Sequence, residues 1–356
     1  PQLNAGSSRL QSRRVSTYNI TQNEVNDYHS ALAIDNQGNL HITFSRLNNG
    51  AYSVFYVNRT VEGWSTPVNI SASAMNCYTS SIEVDSSGVV HAVWECWTGS
   101  KYIVQYTNNQ GGSWATPYNI SSTLGYSSEV TLHVDGQNNV HIFFKGRDLS
   151  ADNDYEIFHA TNSGGSWTLE NVTKNTIYDA SVSFTIDSQS NIHVTYRSSN
   201  SSNYSVNYVN NTGGSWSSPI QINATNYSVV YTKICMDVNG KLHVVFDQKD
   251  ESGDREIYYT NNTMGVWGTP VNVTANDYDD YRPNMLIDSN GYIHIVYQDK
   301  SDPTNYVIRH IISTEPITAI VAPADFTLMI IVVAVVAVVA IAGIAVYPVS
   351  YTHLRA

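Results

Sequence analysis

The sequence predicts an all-β chain: a six-bladed β-propeller with four antiparallel strands per blade, followed by one C-terminal transmembrane helix. Three observations carry that expectation. An Asp followed six residues later by a His in an apolar run recurs six times, as Asp35/His41, Asp85/His91, Asp135/His141, Asp187/His193, Asp237/His243 and Asp288/His294. The Asp-to-Asp steps are 50, 50, 52, 50 and 51 residues, a period that marks solenoids, propellers or arrays. A Trp (Trp64, Trp114, Trp167, Trp216, Trp267) stands 20 or 21 residues before the next Asp. Between these markers, short alternating runs are separated by Asn, Gly and Ser clusters, which are strand and hairpin signals.

Residues 1–13 read as a lead. Pro1 is not an initiator, and no apolar signal segment precedes the repeats, so the start reads as cut. Residues 14–313 form the propeller. Residues 79–121 show one blade: Thr79–Val84, an Asp85–Gly88 turn, Val89–Trp94, a polar loop, Tyr102–Thr107, an Asn/Gly turn, and Trp114–Ile120. The sixth repeat stops after its third strand, near 307–312. Val15–Thr21 matches the segment that follows each Trp, such as Ser65–Ser71, and is expected to supply the missing fourth strand. Closure of this kind removes exposed sheet edges.

A short stalk, 314–325, leads to an uncharged run, Phe326–Tyr347. Its 22 residues, at a rise of about 1.5 Å each, span about 33 Å, enough to cross a hydrocarbon core. Interfacial aromatics flank it. The tail, 348–356, ends in a segment that resembles translated sequencing-adaptor read-through.

The chain is 42% hydrophobic and 13% charged, with 25 Tyr and a formal net charge of −12. Without a basic footprint, nucleic acid is excluded as a partner. No CxxC pair occurs, which excludes a zinc ribbon or thioredoxin motif. If Asp85 lies opposite Gly88 in the turn, the same register carries Cys77 opposite Cys96, where a disulfide could form. Two unrelated buried thiols are the alternative, since a bulge shifts register.

The hairpins before three of the Trp residues read Asn109-Gln-Gly-Gly-Ser-Trp114, Asn162-Ser-Gly-Gly-Ser-Trp167 and Asn211-Thr-Gly-Gly-Ser-Trp216. They resemble the Asp box, or bacterial neuraminidase repeat, of the sialidase superfamily, with Asn in place of the central Asp. The resemblance covers residues 14 to about 312 and implies a six-bladed sialidase-like propeller in which the box is a folding element. Sialidases grip a substrate carboxylate with three Arg and use a Tyr/Glu nucleophile pair and an Asp acid/base. Tyr281-Arg282-Pro283 is similar to the family's aromatic-Arg-aliphatic-Pro motif. However, it stands in the last blade rather than the first, and the other Arg are scattered. No catalytic residue is assigned.

The six repeat His are expected to be buried and hydrogen-bonded rather than metal ligands, because equivalents in a six-fold ring stand about 10 Å or more apart. The rim loops joining strand four to strand one and strand two to strand three hold the ligand candidates Tyr28, Tyr78, Trp97, Tyr281, Arg282 and Asp280, with Asp27 and Asp302 nearby. Aromatic rings beside carboxylates suit a glycan, whose apolar faces stack while its hydroxyls find acceptors. Asp277, Asp279 and Asp299 form a weaker candidate site for Ca2+; no other cofactor is expected.

Twelve Asn-x-Ser/Thr sequons occur, and those at Asn19, Asn69, Asn119, Asn171 and Asn272 recur at nearly one repeat position. They are glycosylation candidates and suit an extracellular domain. The expectation is a single-pass cell-membrane protein whose outward-facing propeller binds a glycan or a cell-surface protein. The alternatives are a sialidase-type glycoside hydrolase and a purely structural envelope component.

Overall fold

The computed structural model describes residues 20–21, 25–72, 75–149, 154–199, 204–223, 227–302 and 305–317. These form six antiparallel sheets in chain order. Blade 1 holds Asp27–Ile34, Leu40–Asn48, Ala51–Thr60 and the paired pieces Gly63–Trp64 and Val68–Asn69. Blade 2 holds Asn76–Val84, Val90–Trp97, Tyr102–Asn108 and Tyr118–Asn119. Blade 3 holds Tyr126–Val134, Val140–Arg147, Glu156–Thr161 and Thr168–Asn171. Blade 4 holds Tyr178–Ile186, Ile192–Ser199, Tyr204–Asn210 and Ile220–Gln221. Blade 5 holds Val229–Met236, Leu242–Lys249, Arg255–Asn261 and Val271–Asn272. Blade 6 holds Asp280–Ile287, Ile293–Asp299 and Val307–Ile312. The expected closing segment at 15–21 lies, apart from Ile20 and Thr21, outside the described residues, as do the stalk beyond Ile317 and the apolar run at 326–347. Among the described residues no helix is long and apolar enough to cross a membrane.

A blade is covered by neighbours on both faces, so its second strand loses the polar/apolar alternation of a half-exposed sheet. Ile142, Phe143 and Phe144, and Val244, Val245 and Phe246, are consecutive and fully buried. The apolar core accordingly lies between blades, in five clusters that fill the five joints from blade 1 to blade 6.

Each joint carries the repeated Asp and His. One oxygen of the Asp holds the turn: Asp85 Oδ1 accepts from the amides of Ser87 (2.9 Å) and Val89 (2.8 Å). The other oxygen faces the His, with Asp85 Oδ2 3.4 Å from His91 Nε2. The far ring nitrogen meets a third-strand partner: His91 Nδ1 and Tyr106 Oη are 2.7 Å apart. Equivalent pairs join His41 to Tyr56, His193 to Tyr208 and His243 to Tyr259, each at 2.7 Å. In blades 3 and 6 the partner is another histidine, His159 or His310.

The third-strand ring then packs edge-on against the Trp of the next blade, as Tyr56 on Trp114, Tyr106 on Trp167, His159 on Trp216 and Tyr208 on Trp267. Burial holds His91, His193 and His243 below the ordinary histidine range and His141 down to about 4. The neutral ring can then donate to the carboxylate and accept from the Tyr hydroxyl.

Side-chain acceptors bind the remaining strand-end amides. The box Asn accepts the first amide of the second strand: Asn109 from Val90 (2.7 Å), Asn162 from Val140 (2.8 Å), Asn211 from Ile192 (2.6 Å) and Asn262 from Leu242 (2.7 Å). Only an acceptor oxygen is needed there, so Asn serves where the family has Asp.

The periodic sequons also have a structural cause. Asn69, Asn119, Asn171 and Asn272 cap tight turns by accepting the amide two residues on. The Ser or Thr of the same tripeptide accepts a third-strand amide, as Ser71 does from Val54 and Thr274 from Ile257. Their recurrence therefore follows from the fold and is no argument for glycosylation. Asn19 lies outside the described residues.

Cys77 and Cys96 are register partners and form a disulfide. The turn register differs from the expectation. Gly88 donates to the Asp85 carbonyl (3.0 Å) as a turn partner, but Asp85 donates to the Val89 carbonyl and Val84 pairs with Val90, so the ladder runs one residue out of the expected register. A one-residue shift between Tyr78 and Ser80 then restores the pairing of 77 with 96.

Tyr106→Phe is expected to destabilise the protein by about 1–3 kcal/mol by leaving the buried His91 Nδ1 unpaired. Urea unfolding would measure this, and Tyr118→Phe, at an exposed ring, should be near neutral.

Candidate functional site

All six first strands break register at the same repeat position: between Tyr28 and Ala31, Tyr78 and Ser80, Ser128 and Thr131, Ala180 and Ser183, Val229 and Thr232, and Tyr281 and Asn284. These are β-bulges, which re-aim side chains. Four bulge residues, His29, Glu129, Ser181 and Arg282, hold a left-handed φ of 50–57°. Such a backbone costs about 1–2 kcal/mol for a residue with a side chain.

Carboxylates from the ring hold several of the bulges. Glu95 Oε2 accepts from Glu129 N (3.0 Å), and Glu129 Oε2 from Ser181 N (2.8 Å). Asp247 Oδ1 accepts from Val230 and Tyr231 (2.9 and 2.8 Å), and its Oδ2 from Arg282 (3.3 Å).

The first strands of successive blades pack together, and all six line a central cavity of about 210 Å3. Glu129, Ser181, Tyr231 and Arg282 stand in its wall. Arg282 stacks over Tyr231 at 5.1 Å. Its charge also holds His29 of blade 1 low, after burial as the main cause.

An aromatic belt runs beside it. Trp97 contacts Tyr102, Tyr102 contacts Tyr126, Tyr126 contacts Tyr155 and Tyr155 contacts Tyr178, with centroids 5.0–5.6 Å apart, crossing blades 2 to 4. A second group joins Tyr28 to Tyr52 and Tyr52 to Tyr78. A third joins Tyr281 to Tyr306. All but Tyr306 are half-buried, and Tyr306 is exposed. Lys145 lies over Tyr155 and Tyr178, and Arg197 over Tyr178. The Tyr at the head of the third strands (Tyr52 and Tyr102 within them, Tyr155 just before) were missed in the sequence because they are marked only by standing next to a first-strand Tyr of the following blade. That neighbourhood is spatial.

Asp280 is placed otherwise than expected. It is fully buried beneath the rim, accepts from Asn276 Nδ2 at 2.8 Å, and offers no carboxylate to a surface ligand. The Ca2+ expectation is also corrected. Asp279 accepts from Tyr281 Oη and Arg255 N, and Asp299 is taken by Arg309 and the Ser301 amide. Only Asp277 is exposed, and among the described residues no group of three or more His, Cys, Asp or Glu suits a metal. Arginines are similarly committed: Arg46 to Asp27, Arg255 to Asp247 and Ser228, and Arg309 to Asp299.

Asp280 belongs to a constellation that occurs twice. Glu156 meets Thr173 Oγ1 and Asn175 N, and Asn175 donates to Asp179; Glu256, Thr274, Asn276 and Asp280 repeat this. Burial raises Glu156 and Asp280 to about 7 and Asp179 to about 6. A carboxyl raised on folding ionises first in the unfolded chain. Its contribution is present at low pH and is lost as pH rises from about 4 through about 7. Asp280→Asn should flatten that slope and gain stability relative to wild type at pH 8 over pH 5, as read by denaturant titration at both pH values.

No family model matches the chain, and no curated protein matches it. Solved structures do. An ulvan lyase, a polysaccharide lyase, aligns with a TM-score of 0.59 at 10% identity over 80% of each chain. A protein of unknown function from Dyadobacter fermentans aligns at 0.55 and 9% identity over 83% of this chain and 95% of its own. A mutant of the NanB sialidase from Streptococcus pneumoniae aligns at 0.53 and 10% identity over 80% of this chain and 68% of its own. At these identities the likeness is one of fold: this chain folds as a sialidase-like all-β propeller.

Proposed function

We propose that the protein is a cell-surface propeller, anchored by the apolar segment at 326–347, that binds a glycan through the rim around its channel. The aromatic belt from Trp97 to Tyr178 carries this reading. Half-buried rings held by ring-to-ring contacts lose little freedom on binding, and their faces fit the apolar faces of sugar rings. Lys145 and Arg197, which lie over Tyr155 and Tyr178, supply polar groups beside the rings. Structural neighbours that act on carbohydrate support the choice of ligand: the ulvan lyase was solved with a saccharide bound.

A sialidase-type hydrolase is the second reading, favoured by Arg282 in the channel wall. Its difficulty is that a clamp needs several free guanidinium groups on one carboxylate, and Arg46, Arg255 and Arg309 are bound to carboxylates of their own.

A glycan array tests the proposal. Binding should weaken about tenfold or more in Tyr102→Ala and Tyr155→Ala and persist in Tyr118→Ala. Wild-type protein should not turn over a fluorogenic sialoside. Turnover lost in Arg282→Ala would replace the binding reading with the hydrolase, and silence in both assays would leave a structural envelope role.

A further inference from the structure

The channel wall holds two cations, Arg282 and Lys233, and the rim reading uses neither; Arg282 stacks over Tyr231. Lys233 lies on the first strand of blade 5, opposite Val245 in register, and lines the central cavity. Among the described residues its amine makes no hydrogen bond and no ion pair. Two carboxylates of the ring have partners of their own. Glu129 is bound by Lys145 at 2.6 Å. Glu83, on blade 2 across the ring, accepts from Val134 N at 2.9 Å and stands 3.2 Å from His133. Cys235, two residues along, is a half-buried thiol pushed up to about 12, so it carries no charge at neutral pH. Burial pushes the Lys233 amine down, against a smaller upward pull from Cys235 and Glu83. An ammonium in such a place needs a partner or must give up its proton.

The wall also offers neutral donors. Ser81, Ser181 and Ser183 each accept an amide of the next blade: Leu132 (3.3 Å), Thr232 (3.3 Å) and Ile234 (3.2 Å). Among the described residues none of these hydroxyls donates a hydrogen bond. Their oxygens are used and their protons are free, a set matched to an anion rather than a cation. Part of the remaining lining, Ala31, Leu32, Ile82, Val130 and Val182, is apolar, and Glu129, Arg282 and Asn284 also stand in it.

We propose that the central channel binds one small monovalent anion on Lys233, with channel-wall serine hydroxyls as supporting donors. The site is independent of the rim, since none of the belt residues from Trp97 to Tyr178 lines the cavity. The anion pairs the Lys233 amine at the axis and joins first strands of different blades.

Bromide is the probe, applied to the full chain. At about ten times its dissociation constant it should raise the thermal midpoint by roughly 3 °C over gluconate at equal ionic strength. The rise should vanish in Lys233→Met and persist in Lys174→Met, at an exposed site. Absence of a rise in wild type, or its survival in Lys233→Met, overturns the proposal. Wild-type crystals soaked in bromide give a readout that does not depend on a variant folding. An anomalous peak within hydrogen-bond distance of the Lys233 Nζ supports the site, and a channel without one refutes it. Unchanged glycan binding in Lys233→Met keeps this outcome separate from the fate of the rim reading.

Discussion

The link from turn Asp to His, from His to the third-strand Tyr or His, and from that ring to the next blade's Trp is the contact on which the ring depends. It joins the inner turn of one blade to the outer edge of its neighbour. A sheet in this molecule has no core of its own, because both its faces are interfaces. A polar chain through an apolar joint adds what dispersion lacks, a single register. His91 fits Asp85 and Tyr106 at one depth only, whereas the surrounding Ala, Val and Ile would tolerate a slide. The use of His159 and His310 where other blades use Tyr shows that the position requires a flat ring with a polar edge, whichever residue supplies it.

The same economy governs the strand ends. Asn109 and its equivalents, Ser71 and Thr274 and theirs, and the turn Asp all do one job: each gives an oxygen to a backbone amide at a strand end or turn, and Ser71 and Thr274 do so for third-strand amides beside the short fourth strand. Buried amides need partners. A blade whose outer strand is only two to four residues long in five sheets cannot supply them from its own ladder. Short polar side chains complete it, which explains why Asn, Ser and Thr crowd a chain that is nevertheless well packed.

Much of the architecture was legible in the sequence because repetition multiplies a weak signal by six. The Asp-to-His step, the Trp spacing and the Asn/Gly hairpins each mark a contact that recurs, and blades 1 to 6 follow them. What was hidden involved contacts between unlike repeats. Asp280 reads as one of a run of surface acids, yet Asn276 and the fold above draw it inward. The sequons read as addresses for sugars because a motif cannot show that its oxygens are already engaged. The pairing of Cys77 with Cys96 followed from two register errors that cancelled: a longer turn, and a bulge that sequence does not mark. The belt escaped because it is assembled from the third strand of one blade and the first strand of the next.

The six bulges make one position per blade unlike any other. His29, Thr79, Glu129, Ser181, Tyr231 and Arg282 occupy it, and no two are alike. Everywhere else, equivalent sites are constrained toward sameness by the need to pack. Here the ladder is interrupted, and the amides of Glu129, Ser181, Tyr231 and Arg282 are held by carboxylates instead of by a facing strand. The wheel therefore separates repeated machinery from a ring of six unlike positions, where a new specificity could be written while the joints stay untouched.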